Sequence, residues 1–295
     1  MPLRDLLLAL LVCLAWAGNF LTSALALEQM PPLLFTAMRL ALLALLLGAF
    51  LRRPGPGQWP RLVAIALCTG VLHFGLSFWA LKLAGNLSSP AIVMQSYVPI
   101  SVLLAWVLLG ERFGWRTGAA VALSFGGVLV LGLDPLVLAE PASLLMMLVS
   151  AFFLAVGTVL MRGLGGVDRY GLQAWTAVIG VGPLLLLSLW LEPGGFALLP
   201  QLGWVAWLGI GYAAVVASLL GHGIYYTLIQ RHPVGKVMPW LLLTPLFAMG
   251  LGIAFYGDRP GAKLWLGGAM VLGGILVIAL RTQAKARPAP EAEAL

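Results

Sequence analysis

Ten times along this chain a run of about twenty mostly apolar residues is closed by a short break carrying charge and turn residues. The runs cover 4–27, 33–51, 61–83, 88–109, 115–133, 141–162, 170–191, 203–229, 234–256 and 262–280. A helix of that length spans the hydrocarbon of a bilayer, and only a structure that pairs every backbone amide internally survives there. The breaks, such as RRPGPGQWPR at 52–61 and QRHPVGK at 230–236, are too short for a soluble domain. Hydrophobic residues make up 61% of the 295 residues and charged ones only 9%, against about 45–50% and 25% in soluble domains. These features predict an all-α membrane protein with ten transmembrane helices and a disordered polar tail at 282–295.

The positive charges predict the orientation. With the first residues inside, Arg4, Arg52, Arg53, Arg61, Arg112, Arg116, Arg162, Arg169, Arg231, Lys236, Arg281, Lys285 and Arg287 all lie on the inner side. Lys82, Arg259 and Lys263 lie outside, and Arg39 falls within the second run. Both termini are therefore expected in the cytoplasm. The net charge of +7 is this bias and requires no nucleic-acid partner. Ala15-Trp16-Ala17 before Gly18 imitates a signal cleavage site, but the apolar run continues to a spanning length, which argues for retention. Cys13 and Cys68 both lie in apolar runs and offer neither a disulfide framework nor metal spacing.

The chain is also written twice. At a spacing of 147, Gly110, Arg112, Gly114, Ala122, Gly126, Gly127, Leu129 and Val130 meet identical residues, while Glu111 meets Asp258 and Arg116 meets Lys263. Further upstream the spacing is 146, where Gly75 meets Gly221, Trp79 meets Tyr225 and Pro99 meets Pro245. Each half holds five runs, an odd number, so the second must enter the membrane from the opposite side. The expected architecture is two inverted five-helix repeats, residues 1–135 and 141–281. Such repeats characterise transporters in which a site at the midplane is exposed to each side in turn.

Pro99, the apolar run after it, Gly110-Glu111-Arg112, the stretch TGAAVALSFGGVLVLG and Trp79-Ala80-Leu81-Lys82 upstream resemble the EamA repeat of the drug/metabolite transporter superfamily. The likeness covers both halves, and within the superfamily the chain looks most like the ten-helix YddG-type exporters of amino acids, aromatic ones among them. That resemblance implies an inner-membrane exporter of metabolites with a central cavity between the halves. The small four-helix members use a glutamate in their first helix for proton exchange. Here that helix offers Trp16 and Asn19 instead.

All ten acidic residues fall in loops, at span ends or in the tail, so coupling through an intramembrane carboxylate is not expected. The same absence argues against a metal site, an enzyme's catalytic cluster or any cofactor. Two histidines lie within runs. Thr69, His73 and Ser77 recur on one face of the third helix, and Ser218, His222 and Tyr225 on one face of the eighth, while Trp16, Asn19 and Ser23 form a third stripe. Polar groups at that depth face the protein interior or a wet cavity. Phe78 on the third helix, Met94, Gln95 and Tyr97 on the fourth and Trp240 on the ninth complete the candidate substrate-binding set. Each aromatic is weighed against the ordinary role of a headgroup anchor.

Pro99 and Pro245 should kink the fourth and ninth helices, freeing the carbonyls of Gln95 and Leu241, and serve as hinges. Gly118, Ala122 and Gly126, mirrored by Trp265, Ala269 and Gly273, are spaced for close helix packing or for a homodimer contact. Arg39 is expected to carry its charge outward along its stem and to pair with Glu28.

A cavity of aromatics, amides, hydroxyls and one or two histidines suits an uncharged or zwitterionic amphipathic solute. Nucleotide-sugar carriers need intramembrane cations to meet phosphates, and only Arg39 qualifies. The sequence therefore favours a multi-pass inner-membrane exporter of amino acids or similar small metabolites, with the lipid bilayer and a small-molecule substrate as its partners. A drug, nucleobase or nucleoside exporter of the same fold is the principal alternative, and a membrane-embedded enzyme or a channel the remote ones.

Overall fold

The computed structural model describes residues 1–232 and 234–285. All regular elements among them are helical, and ten helices are long and apolar enough to cross a membrane. They are α1 (Leu3–Leu27), α2 (Pro32–Phe50), α3 (Trp59–Ala84), α4 (Ser88–Leu109), α5 (Trp115–Gly132), α6 (Pro141–Met161), α7 (Arg169–Leu191), α8 (Trp204–Arg231), α9 (Lys236–Tyr256) and α10 (Ala262–Thr282). Every bound lies within two residues of the apolar runs, because hydropathy and the turn residues that interrupt it set both. The last helix continues to Lys285, so residues 282–285 of the expected tail are helical. Residues 286–295 lie outside the described residues.

The helices pack in a pattern that is unchanged when the halves are exchanged. α5 packs on α10 and α2 on α7; α3 and α4 pack on α6, while α8 and α9 pack on α1. The α5–α10 contact is the most extensive, and small residues make it so. A Cβ on Gly127 would stand 2.6 Å from the Gly267 carbonyl oxygen and 2.8 Å from Val271 N, and one on Gly274 2.5 Å from the Ala120 carbonyl oxygen. Ser124 donates across the seam to the Val271 carbonyl at 3.4 Å. The stripe singled out in the sequence lies elsewhere. Ala122 and Ala269 are exposed, and a Cβ on Gly273 would meet nothing within 4 Å. One residue of helix is a rotation of about 100°, so the adjacent Ala120–Ser124–Gly127 face makes the contact.

Two helices are broken and three are widened. α4 is interrupted at Gln95–Ser96 and α9 at Leu242, upstream of Pro99 and Pro245 as the missing N–H dictates. The Gln95 carbonyl does not stay free, since Val98 N donates to it at 3.1 Å. α3 passes through a π-helical stretch at Leu67–His73 and α8 through one at Tyr212–Gly221, and α9 ends in a third at Gly252–Tyr256. At the repeat spacing of 146 the first two occupy corresponding positions. Extended π-helix is rare and concentrates at functional sites.

The α5–α10 seam yields a stability prediction. Gly127→Ala forces a Cβ into backbone atoms of α10 and should destabilise the fold by about 1–3 kcal/mol. Gly273→Ala meets open space and should leave the thermal midpoint in detergent unchanged or slightly raised.

Candidate functional site

The π-helical stretch of α8 faces a buried guanidinium, and the turn of α3 that follows its own π-helical stretch covers it. Arg39 stands seven residues into α2, about 10 Å from its start at 1.5 Å per residue, and is 2% exposed. It does not reach the surface, and neither of its hydrogen bonds goes to Glu28. Its Nε donates to the Ala213 carbonyl at 3.4 Å and its Nη2 to Ser218 Oγ at 2.8 Å, both on the widened part of α8. Ser218 Oγ itself donates to the same Ala213 carbonyl, five residues back, at 2.8 Å. The Phe74 ring of α3 covers the guanidinium at 3.9 Å and Phe78 lies 5.5 Å away. Nη1 is buried without a hydrogen-bond partner.

The same stretch of α8 holds α1. Trp16 Nε1 donates to the Ala217 carbonyl at 3.1 Å, and His222 Nδ1 lies 3.1 Å from that carbonyl and 3.2 Å from that of Ser218. Two acceptors around Nδ1 place the ring proton there, leaving Nε2 as an acceptor in the neutral ring. The Trp16 ring lies 5.2 Å from that of His222 and 5.7 Å from that of Tyr225. Trp16, His222 and Tyr225, drawn from the sequence as separate stripes, form one aromatic cluster between α1 and α8.

On the other side, His73 Nδ1 lies 2.9 Å from Ser150 Oγ on α6, and that hydroxyl donates back to the His73 carbonyl at 2.9 Å. With the hydroxyl hydrogen so used, Nδ1 is the donor in the first bond. His73 is thus pinned between the halves, its ring 4.7 Å from Phe74. Ser77 bonds the Phe74 carbonyl of its own helix at 3.1 Å. Phe78 packs edge-on to Phe35 at 4.9 Å.

The other expected binding residues stand apart from this network. Asn19 is half-buried and accepts from Ser23 at 3.4 Å. Gln95 and Tyr97 flank the break in α4, and Met94 packs against the core shared by α5, α6 and α10. Trp240 is 40% exposed, and its carbonyl accepts from Cys13 Sγ at 3.3 Å. Among the described residues no three His, Cys, Asp or Glu side chains come together as metal ligands would.

The acids at the span ends are buried fasteners. Asp258, 5% exposed, follows α9 and caps the start of α4 through Leu87 N at 3.0 Å, Ser88 N at 2.9 Å and Ser88 Oγ at 2.5 Å. At the same end Glu192 accepts from Leu33 N and Leu34 N at the start of α2, at 2.7 and 3.0 Å, and Asp134 from Leu264 N of α10 at 3.0 Å. At the opposite end Asp5 holds His232 at 2.6 Å. The repeat partner of Asp258 behaves differently. Gly110 and Gly257 both adopt positive φ, +67° and +79°, and close the same turn. Yet Glu111 is not buried as Asp258 is; its side chain is more than half exposed and pairs with Arg162 at 2.5 Å.

The EamA-like transporter family matches residues 3–133 and again residues 141–280. The chain belongs to that family. An EamA-like sequence of this length also aligns end to end with curated relatives. It is 27% identical to a probable amino-acid metabolite efflux pump of Escherichia coli, over 94% of this chain and 95% of that one. A protein of the same description from Salmonella typhimurium is 28% identical with the same coverage. An uncharacterized protein of Pseudomonas aeruginosa is 32% identical over 93% of this chain and 94% of its own. One crystal structure, 20% identical, superposes with a TM-score of 0.58 over 97% of this chain and 100% of that one, a likeness of fold.

Sequence reasoning held Arg39 as structural, paired with Glu28, and passed over Phe74, Ser150 and the π-helical stretches. The available signal was a lone arginine in the middle of an apolar run. Ser218→Ala removes the acceptor for Arg39 and should cost about 1–3 kcal/mol by thermal unfolding. Ser77→Ala, which removes only a bond to its own helix, should shift the midpoint far less.

Proposed function

We propose that this chain exports amino acids, or small amphipathic metabolites like them, across the inner membrane by alternating access between two inverted repeats, residues 1–135 and 141–281. The observation that carries the reading is the polar and aromatic network running from Trp16, His222 and Tyr225 through Ser218 and Arg39 to His73 and Ser150. It joins α1, α2 and α3 to α6 and α8, and so lies where the halves meet. Intramembrane ionisable groups in such a place mark a solute pathway, and aromatic faces favour solutes that stack on them. The relatives described as efflux pumps for amino-acid metabolites support the substrate class.

The half-exchanging pattern of helix contacts supports the inversion, and the asymmetry of the two charged turns supports the alternation. In this conformation the end holding Asp258 is fastened to α4, whereas Glu111 is exposed and paired with Arg162. The alternate state exchanges these roles, with Glu111 capping α9 and Asp258 released, and the breaks above Pro99 and Pro245 absorb the bending. By the distribution of Lys and Arg, the end holding Glu111 faces the cytoplasm, with both termini.

Counterflow in proteoliposomes tests the proposal. Vesicles loaded with an unlabelled neutral amino acid should accumulate the labelled form transiently and saturably. Uptake that is linear in concentration and blind to the trans solute would indicate a channel and contradict the reading.

A further inference from the structure

Arg39 presents an edge that nothing among the described residues uses. A guanidinium has five N–H donors, keeps its charge at any accessible pH and, when buried, requires a counter-ion or a full set of acceptors. Its Nε and Nη2 face the Ala213 carbonyl and Ser218 Oγ, which are themselves bonded to each other. These contacts occupy one side of the fork. The end formed by Nη1 and Nη2 is left, and Nη1 has no acceptor at all. Among the described residues no carboxylate forms an ion pair with Arg39. The Phe74 ring covers the guanidinium plane, which directs any further partner to that edge.

We propose that the Nη1–Nη2 edge of Arg39 binds the carboxylate of the transported solute and so makes the carrier selective for carboxylate-bearing molecules. The two parallel N–H donors match a carboxylate's two oxygens, and the resulting pair supplies the charge and the acceptors that the buried cation lacks. Ser218 and His222, one turn apart on α8, connect Arg39 to the Trp16–Tyr225 cluster, about 6 Å further along the helix. A solute with its carboxylate on Arg39 would reach that cluster with an apolar or aromatic side chain. In other states of the carrier Ser218 and Ala213 hold the empty guanidinium in place. The inference rests on the reading of the bundle as a carrier, but its test is one of binding.

The full chain in detergent is titrated with two pairs of probes, L-phenylalanine against L-phenylalaninamide and phenylacetate against phenylacetamide, and ligand-induced thermal stabilisation is read. Both acids should stabilise the protein and bind about 10- to 100-fold more tightly than their amides. Arg39→Gln should erase that ratio, and Arg39→Lys should weaken the acids while retaining the preference. Acids and amides that behave alike, including a failure of all four to bind, would overturn the proposal, as would a preference that survives Arg39→Gln. If Arg39→Gln does not fold, the acid-to-amide ratio in the unmodified chain and in Arg39→Lys decides. Acids that bind through Arg39 but are not exchanged in vesicles would remove the export reading and leave the site. Exchange without acid preference would do the reverse.

Discussion

A carbonyl displaced from a helical ladder inside hydrocarbon must find a donor, because no water is there to serve it. The π-helical stretch of α8 shifts its carbonyls to bonds five residues apart, and two of them also take side-chain donors around which the bundle's centre is organised. The Ala213 carbonyl takes Arg39 from α2 and Ser218 from its own helix; the Ala217 carbonyl takes Trp16 from α1 and His222. Backbone irregularity therefore ties the first half of the chain to the second. It also explains how a guanidinium and an indole come to lie at this depth. Each donates to a carbonyl of the widened turns, and Arg39 has a further donor, Nη1, left over.

The ends of the bundle follow the same physics at the boundary of the hydrocarbon. The first N–H groups of a helix have no intrahelical acceptor, and here the carboxylates of Glu192, Asp258 and Asp134 supply one to a helix distant in sequence. A carboxylate at a helix start also meets the favourable end of the helix dipole. These fasteners are short-range, so a small movement makes or breaks them. That property fits the alternation proposed for the bundle.

Much of this was legible in the sequence and some was not. The ten spans were, because hydropathy and Gly, Pro and charge in the breaks act locally. The doubled charged turn was, since identity at a fixed spacing needs no structure. The stripe of Gly118, Ala122 and Gly126 signalled close packing on the right helices but on the wrong face, because spacing leaves the rotation of a helix undetermined. Arg39 was visible as an outlier, yet its stem could in principle have carried the charge outward, and only packing against α3 and α8 decides between the two. The π-helical stretches left no signature of their conformation, although Thr69, His73 and Ser218 within them stood out as polar. The acids were read as lying in loops, at span ends or in the tail, without the further step that Asp258 would be buried against the start of α4.

The central claim is that the two ends of the bundle open in alternation about the Arg39–Trp16 network. Double electron–electron resonance on a chain with Cys13 and Cys68 replaced by serine tests it most directly. One label pair would sit at Lys82→Cys and Arg259→Cys, at the end fastened by Asp258, and the other at Arg112→Cys and Lys236→Cys, at the end where Glu111 is exposed. The account predicts that the transported solute changes the two distance distributions in opposite senses, one population lengthening as the other shortens. Distances that move together, or do not move while transport proceeds, would contradict it.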